Sequence, residues 1–189
     1  MTLIYRWVKK IVLLFLIGCI IIVLINNALF LKLFYPYPHQ ELIVTSSNEY
    51  KVDPYIVLAI IRTESRFFPK ANSPVGAKGL MQIMPETGRW IAQQIKMTEF
   101  EDDKLYLPNY NIPMGIWYIS YLDSVFQGDL IKVLAAYNAG EHKVKRWISE
   151  GIWTGRQQDI EQIPYLETRE YIDKVLFDYH IYKRIYKKK

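Results

Sequence analysis

Glu64 is the residue whose type and spacing best suit it to chemistry. Val57, Ile60, Ile61 and Glu64 stand at i, i+3, i+4 and i+7, which puts them on one face of a helix. A carboxyl on an otherwise apolar face risks desolvation. Desolvation raises its pKa and keeps it protonated closer to neutral pH. A protonated carboxyl beside a cleft can serve as a general acid. Three stretches rich in small and polar residues follow it: Ser73-Pro74-Val75-Gly76-Ala77, Gly79-Leu80-Met81-Gln82-Ile83-Met84-Pro85 and Ala136-Tyr137-Asn138-Ala139-Gly140. Other catalytic signatures are missing. The chain has no His-Glu-x-x-His, no Gly-x-Ser-x-Gly, no phosphate-cradling glycine loop and no Cys-x-x-Cys. His39, His142 and His180 lie far apart and show no metal-ligand spacing.

The elements that must position Glu64 read as helices. Asp53-Pro54 pairs an N-cap with a proline at the first helical position and predicts a helix ending at Glu64 or Ser65. Residues 66–78 hold two prolines, Asn72-Ser73 and Gly76, which predicts a loop. Pro85-Glu86 opens a helix through Trp90, Ile91 and Ile95; residues 97–110 are polar, acidic and irregular. Asn111 reads as the cap of a long helix through Ile112, Ile116, Ile119, Leu122 and Phe126. Gly128-Asp129 caps the next, over 130–138, which stops at Gly140. A short helix over 141–148, a loop over 149–163 and a helix from Pro164 toward Arg184 complete the pass. Strand alternation and repeats are absent, so the fold class is mainly α.

The two ends carry the charge. Of 24 basic residues against 19 acidic ones, Arg6, Lys9, Lys10 and Lys32 lie in the first 34 residues, and Lys183, Arg184, Lys187, Lys188 and Lys189 form a basic tail. The body is near neutral, without the basic face of a nucleic-acid reader, so no nucleic-acid partner is expected. Residues 11–25 are apolar, Asn26-Asn27 interrupts, and 28–31 are apolar again. That just reaches the roughly 20 residues a membrane helix needs. With Arg6, Lys9 and Lys10 before it, the expected topology is an uncleaved single-pass anchor over 1–34, its N-terminus cytoplasmic and the rest outside. Two alternatives stay open. One is a cleaved signal peptide, although no small-x-small site follows the run. The other is a lipoprotein modified at Cys19 of Leu16-Ile17-Gly18-Cys19, although the run continues past the cysteine. Cys19 is the only cysteine, so the exported part must be held by its core rather than by disulfides. A proline-stiffened linker, 35–40, then leads to one domain, 41–189.

Glu64-Ser65, the Ser73 and Gly79 stretches, Asn111-Ile112 with Gly115, Ala136-Tyr137-Asn138-Ala139-Gly140, and Glu167-Thr168-Arg169-x-Tyr171 follow one another in order. In this set the chain resembles the catalytic domain of the soluble-lytic-transglycosylase family, over about residues 41–182. The resemblance implies a lysozyme-like fold and a single catalytic acid and base, Glu64. It implies that Ser65, Ser73, Gln82 and Met84 line the sugar sites. Tyr137 and Asn138 would sit at the reacting sugar, and Glu167 and Tyr171 would close the opposite wall from the C-terminal helix. The chain departs from the family pattern at Glu141-His142, where small residues are common. Each residue also has a plainer reading. Glu64 could be a structural acid paired with Arg62 or Arg169. Leu80, Ile83 and Met84 could be packing residues, Tyr137 could be core, and Ser73 an ordinary turn residue.

The partner implied is the peptidoglycan glycan strand of alternating N-acetylglucosamine and N-acetylmuramic acid, and no metal or organic cofactor enters. Most glycosidases use two carboxylates. The motifs supply one, and nothing in the sequence ties Asp102 or Asp103 to it. A one-acid scheme works if the substrate assists. Glu64 protonates the glycosidic oxygen and the 2-acetamido oxygen supports the anomeric carbon. The Glu64 carboxylate then takes the proton of the sugar's own 6-hydroxyl, which closes a 1,6-anhydro ring. A muramidase-type hydrolase on the same fold and a non-catalytic wall-binding protein are the alternatives.

Overall fold

The computed structural model describes residues 2–187, apart from the side chains of residues 2–4, 20–22, 24–26 and 28. The chain forms two compact units. Residues up to Pro36 and from Ile181 on make the smaller, and Tyr37–His180 the larger.

In the smaller unit, α1 (Thr2–Asn26) and α2 (Ala28–Phe34) are separated where the sequence places its interruption. Asn27 takes an extended conformation and caps α2, its side-chain oxygen accepting from the amides of Leu29 and Phe30. Among the described residues no helix is long and apolar enough to cross a membrane. Part of the expected span over 11–31 falls on side chains outside that description, as do Lys188 and Lys189 of the basic tail. Tyr35 is buried rather than part of a free linker. Its ring stands edge-on to Tyr182 at 5.3 Å, and Tyr182 and Tyr186 donate to the carbonyls of Pro36 and Tyr35.

The larger unit begins with a helix the sequence does not signal, α3 (Gln40–Tyr50). Thr45, Ser46, Ser47 and Asn48 are weak helix formers, and no apolar stripe runs through the segment. Ile43, Ser46 and Ser47, at helical spacing, are buried, and α3 packs on the long helix α6 (Pro108–Val125). Tertiary burial overrides the weak local preference.

Helix α4 (Pro54–Ser65) forms as its start signal predicts: the Asp53 side chain accepts from the amide of Tyr55, with Pro54 at the first position. Six consecutive residues from Ile56 to Ile61 are buried. The amphipathic stripe is therefore only part of the picture. A helix apolar all round lies inside the core, and Glu64 emerges near its C-terminal end. Helices α5 (Pro85–Gln94), α6, α7 (Leu130–Ala139), α8 (Glu141–Ser149) and α9 (Leu166–Tyr186) follow, with 3-10 turns at Asp102–Tyr106 and Gln157–Gln162. Helix α6 packs against α3, α5 and α7. Among the described residues β-structure is limited to bridges pairing Lys78 with Asn72 and with Ile83. Asn111 is not a cap. α6 starts at Pro108, since proline suits a first helical position, and Asn111 is buried inside the helix. Pro164 likewise precedes α9 instead of opening it.

Candidate active site

Glu64 occupies the last turn of α4, which Arg66 and Phe67 close in left-handed conformations (φ 49° and 64°). The Ser65 hydroxyl donates to the carbonyls of Ile61 (3.1 Å) and Leu80 (2.7 Å). It thereby braces the helix end against the 79–83 loop, which makes Ser65 a positioning residue. Asn111 holds the same loop from below: its Oδ1 accepts from the amide of Met81 at 2.7 Å, and its Nδ2 donates to the carbonyls of Lys78 (2.9 Å) and Leu105 (2.8 Å). Two glycines allow this approach. A Cβ on Gly79, whose φ is +79°, would overlap the Leu105 carbonyl oxygen, and one on Gly115 would overlap the Met81 sulfur. Asn111→Leu leaves the Met81 amide and the Leu105 carbonyl without this partner, at about 1–3 kcal/mol each, while the Lys78 carbonyl keeps its bond from the Ile83 amide. We expect a loss of at least about 2 kcal/mol, or on the order of 4–8 °C in Tm. A melting curve that coincides with that of the parent chain would contradict the bracing role.

The loop delivers Tyr137, from α7, toward Glu64. Its hydroxyl donates to the Met81 carbonyl at 2.9 Å, so its oxygen can still accept. Tyr171, on α9, is buried, and among the described residues its hydroxyl makes no hydrogen bond of ordinary geometry. It nevertheless lies close enough to Glu64 for each to act on the other's ionisation. Burial, reinforced by the Glu64 charge, pushes both phenols well above the usual tyrosine range. Burial is also the main reason the Glu64 carboxyl is pushed up to about 7; the Tyr171 hydroxyl pulls it down, the Glu167 charge pushes it further up, and the Lys174 charge opposes. Glu167, Tyr171 and Lys174 stand at i, i+4 and i+7, on one face of α9. At pH 7 such a carboxyl is divided between its two forms, the condition a group needs to give a proton and later take one.

The other expected residues gather around a cleft of about 210 Å³ lined by Gln82, Met84, Tyr137 and Asn138, together with Thr87 and Tyr118. Asn138 is oriented by Thr168, whose hydroxyl donates to its Oδ1 at 2.7 Å. Gln82, left-handed at φ 47°, donates its amide to the carbonyls of Ala71 and Gly79, so its Oε1 is the end left to accept from a ligand. Met84 is 40 % exposed and lines the cleft, Ile83 is buried beneath it as part of its wall, and Leu80 is core. Ser73 lies farther along the loop, its oxygen accepting from the Ala77 amide at 2.9 Å in a turn. Glu167 is exposed.

The ion-pair reading of Glu64 falls away. Arg62 pairs with Asp178 (3.3 Å) and Arg169 with Glu161 (2.7 Å), and among the described residues Glu64 forms no ion pair. Asp102 and Asp103 are not brought to the site, because they pair with Arg89 (2.6 Å) and Lys78 (2.8 Å). Lys174, Thr87 and Tyr118 carry no signal in the motifs, and Thr168 stands in the Glu167-Thr168-Arg169 motif without an assigned role. Lys174 could have been found by its spacing from Tyr171; Tyr118 is one of several aromatics on α6 with nothing local to mark it.

Known proteins resemble this chain in sequence and fold. Residues 41–160 match the family model described as Transglycosylase SLT domain. The soluble lytic murein transglycosylase of Salmonella typhimurium is 34 % identical over 146 residues, covering 75 % of this chain and 22 % of that protein. The membrane-bound lytic murein transglycosylase C of Sodalis glossinidius is 31 % identical over 151 residues, covering 69 % and 42 %. The X-ray structure of an inactive glutamate-to-glutamine mutant of the lytic transglycosylase Slt from Pseudomonas aeruginosa superposes with a TM-score of 0.74 at 33 % identity, covering 81 % of this chain and 25 % of that one. The chain thus spans about a fifth to two fifths of the length of these relatives. With the domain model matched over more than half its length, the chain belongs to the Transglycosylase SLT domain family.

Proposed function

We propose that this chain is a peptidoglycan lytic transglycosylase. It cleaves the β-1,4 bond from N-acetylmuramic acid to N-acetylglucosamine and leaves 1,6-anhydro ends. The observation that carries the reading is Glu64: one carboxyl raised to about 7 by burial, between two phenols. Protonated, it releases the leaving oxygen. Ionised, it accepts the proton of the 6-hydroxyl, and Tyr137 and Asn138 hold the reacting sugar. An acid so placed counts against a purely wall-binding protein. Hydrolysis is favoured by one observation, the Glu167 carboxylate whose charge reaches Glu64, since a second carboxylate could activate water.

The products separate the two enzymes. A closed anhydro ring lacks one water, about 18 mass units, and has no reducing terminus. We expect digestion of wall glycan to yield ends that borohydride does not reduce. Reducible N-acetylmuramic acid ends from the first minutes would make the chain a hydrolase.

We further propose that the N-terminal helices anchor the chain in a membrane, with the catalytic domain outside the cytoplasm. Support comes from α1, where Ile11, Val12, Leu13, Leu14, Phe15 and Leu16 are each at least half exposed behind Arg6, Lys9 and Lys10. Relatives described as membrane-bound are consistent with it. Protease added to wall-stripped cells should remove the domain and spare a small membrane fragment. Full protection in accessible cells would sink this topology, and lipid labelling of Cys19 would replace it with the lipoprotein alternative.

A further inference from the structure

The cleft lined by Tyr137 and Asn138 does not end at Gly140. Thr87, Tyr118 and Gly140 line both it and an adjoining bay of about 440 Å³, whose other walls are Glu86, Trp90, Tyr121, Glu141 and His142. One wall is a rigid aromatic cluster. Trp90 stands edge-on to Tyr121 (5.0 Å) and Trp117 (5.4 Å), and those two rings stack 5.8 Å apart at 8°. The rim is acidic. Tyr121 donates to one Glu141 oxygen at 2.9 Å, which fixes that carboxylate, and Lys145 meets the other oxygen at 2.5 Å.

Lys145 is held on Glu141 and His142 lines the bay, while two further cations are engaged elsewhere. Arg89 pairs with Asp102, and Lys143 lies over the Tyr165 ring at 5.1 Å. Among the described residues Glu86, exposed in the first turn of α5, forms no ion pair. The bay therefore pairs an uncompensated carboxylate with indole and phenol rings, a surface that attracts a cation and repels an anion. Sugar rings of an N-acetylated strand carry no positive charge; an amine on the attached peptide does.

We propose that this bay takes the free ammonium group of the peptide borne by the glycan strand, so that the chain reads amine-bearing stems as well as sugars. The identity of the strand rests on the transglycosylase reading of the neighbouring cleft. Glu86 supplies the uncompensated charge and Glu141 an ion-paired carboxylate, Trp90 and Tyr121 supply aromatic walls, and Thr87 and Tyr118 line the passage between the two spaces.

The test titrates the full chain with a soluble disaccharide-peptide carrying a free side-chain amine, and with the same compound after acetylation of that amine. Acetylation is expected to weaken binding about tenfold. In Glu86→Gln, an exposed change that leaves the core intact, the difference shrinks, and in Glu86→Gln with Glu141→Gln it falls to within about twofold. Equal affinity of the parent chain for both compounds, no binding of either, or a preference that survives the double substitution overturns the proposal. Product analysis on peptide-free strands reports separately on the enzyme. A chain that cleaves without sensing the amine loses this proposal alone, and one that senses the amine without cleaving loses the transglycosylase reading alone.

Discussion

Glu64→Gln is expected to lower glycan cleavage by about 10²–10⁴-fold, the usual worth of a general acid, while the domain stays folded. Glutamine keeps the shape of the side chain and removes the titrating proton. Stability should respond in the opposite sense to activity at high pH. The folded state holds the Glu64 proton up to about 7, against 4.5 for the ordinary carboxyl. Stability from the protonated form is therefore fully present below 4.5 and is lost as pH rises through 7. The difference is worth roughly 3 kcal/mol. The glutamine variant lacks this loss, so relative to the parent chain it should melt higher at pH 8 than at pH 4. Near-normal turnover in a folded Glu64→Gln chain would remove Glu64 from the mechanism. A parallel pH dependence of the two melting curves would show that burial does not raise its pKa.

Tyr171→Phe should slow cleavage by about 10–100-fold, the worth of a hydrogen bond that the nearby hydroxyl closes onto the ionised carboxylate during the reaction, and should move the pH profile. The Tyr171 hydroxyl lowers the pKa of Glu64, so its removal raises it. The acid form then persists to higher pH, and the alkaline limb of the rate profile shifts upward. Charge controls give this result a sign. Lys174→Met removes an opposing positive charge and should shift the limb the same way, whereas Glu167→Gln removes a negative charge and should shift it down. A profile unmoved by all three substitutions would mean that α9 does not tune the acid. If Glu167→Gln instead abolishes turnover and the parent products are reducible, Glu167 is the second carboxylate of a hydrolase.

Local signals in the sequence were enough for the elements that punctuate themselves. Asp53-Pro54 opens α4, Asp129 caps α7 and Gly140 ends it, and Asn27 divides the N-terminal helices. These are short-range effects: a side chain reaching a backbone amide two or three residues on, or a ring that fixes φ. The type and placement of Glu64, and the ordered motifs that follow it, were legible for the same reason.

Tertiary structure alone decided the rest. Segment 40–50 becomes helix because the long helix α6 covers Ile43, Ser46 and Ser47. Asn111 resembles a cap in sequence, yet it ties Met81, Lys78 and Leu105 together, residues that meet only after folding. Burial of both faces of α4 depends on what surrounds it, which no periodicity in α4 records. Sequence shows that Glu64 is an acid at the end of an apolar helix; its pKa depends on desolvation and on the phenol and charges that α9 brings from far along the chain. Spacing reports neighbours along one element, whereas electrostatics and desolvation act through space.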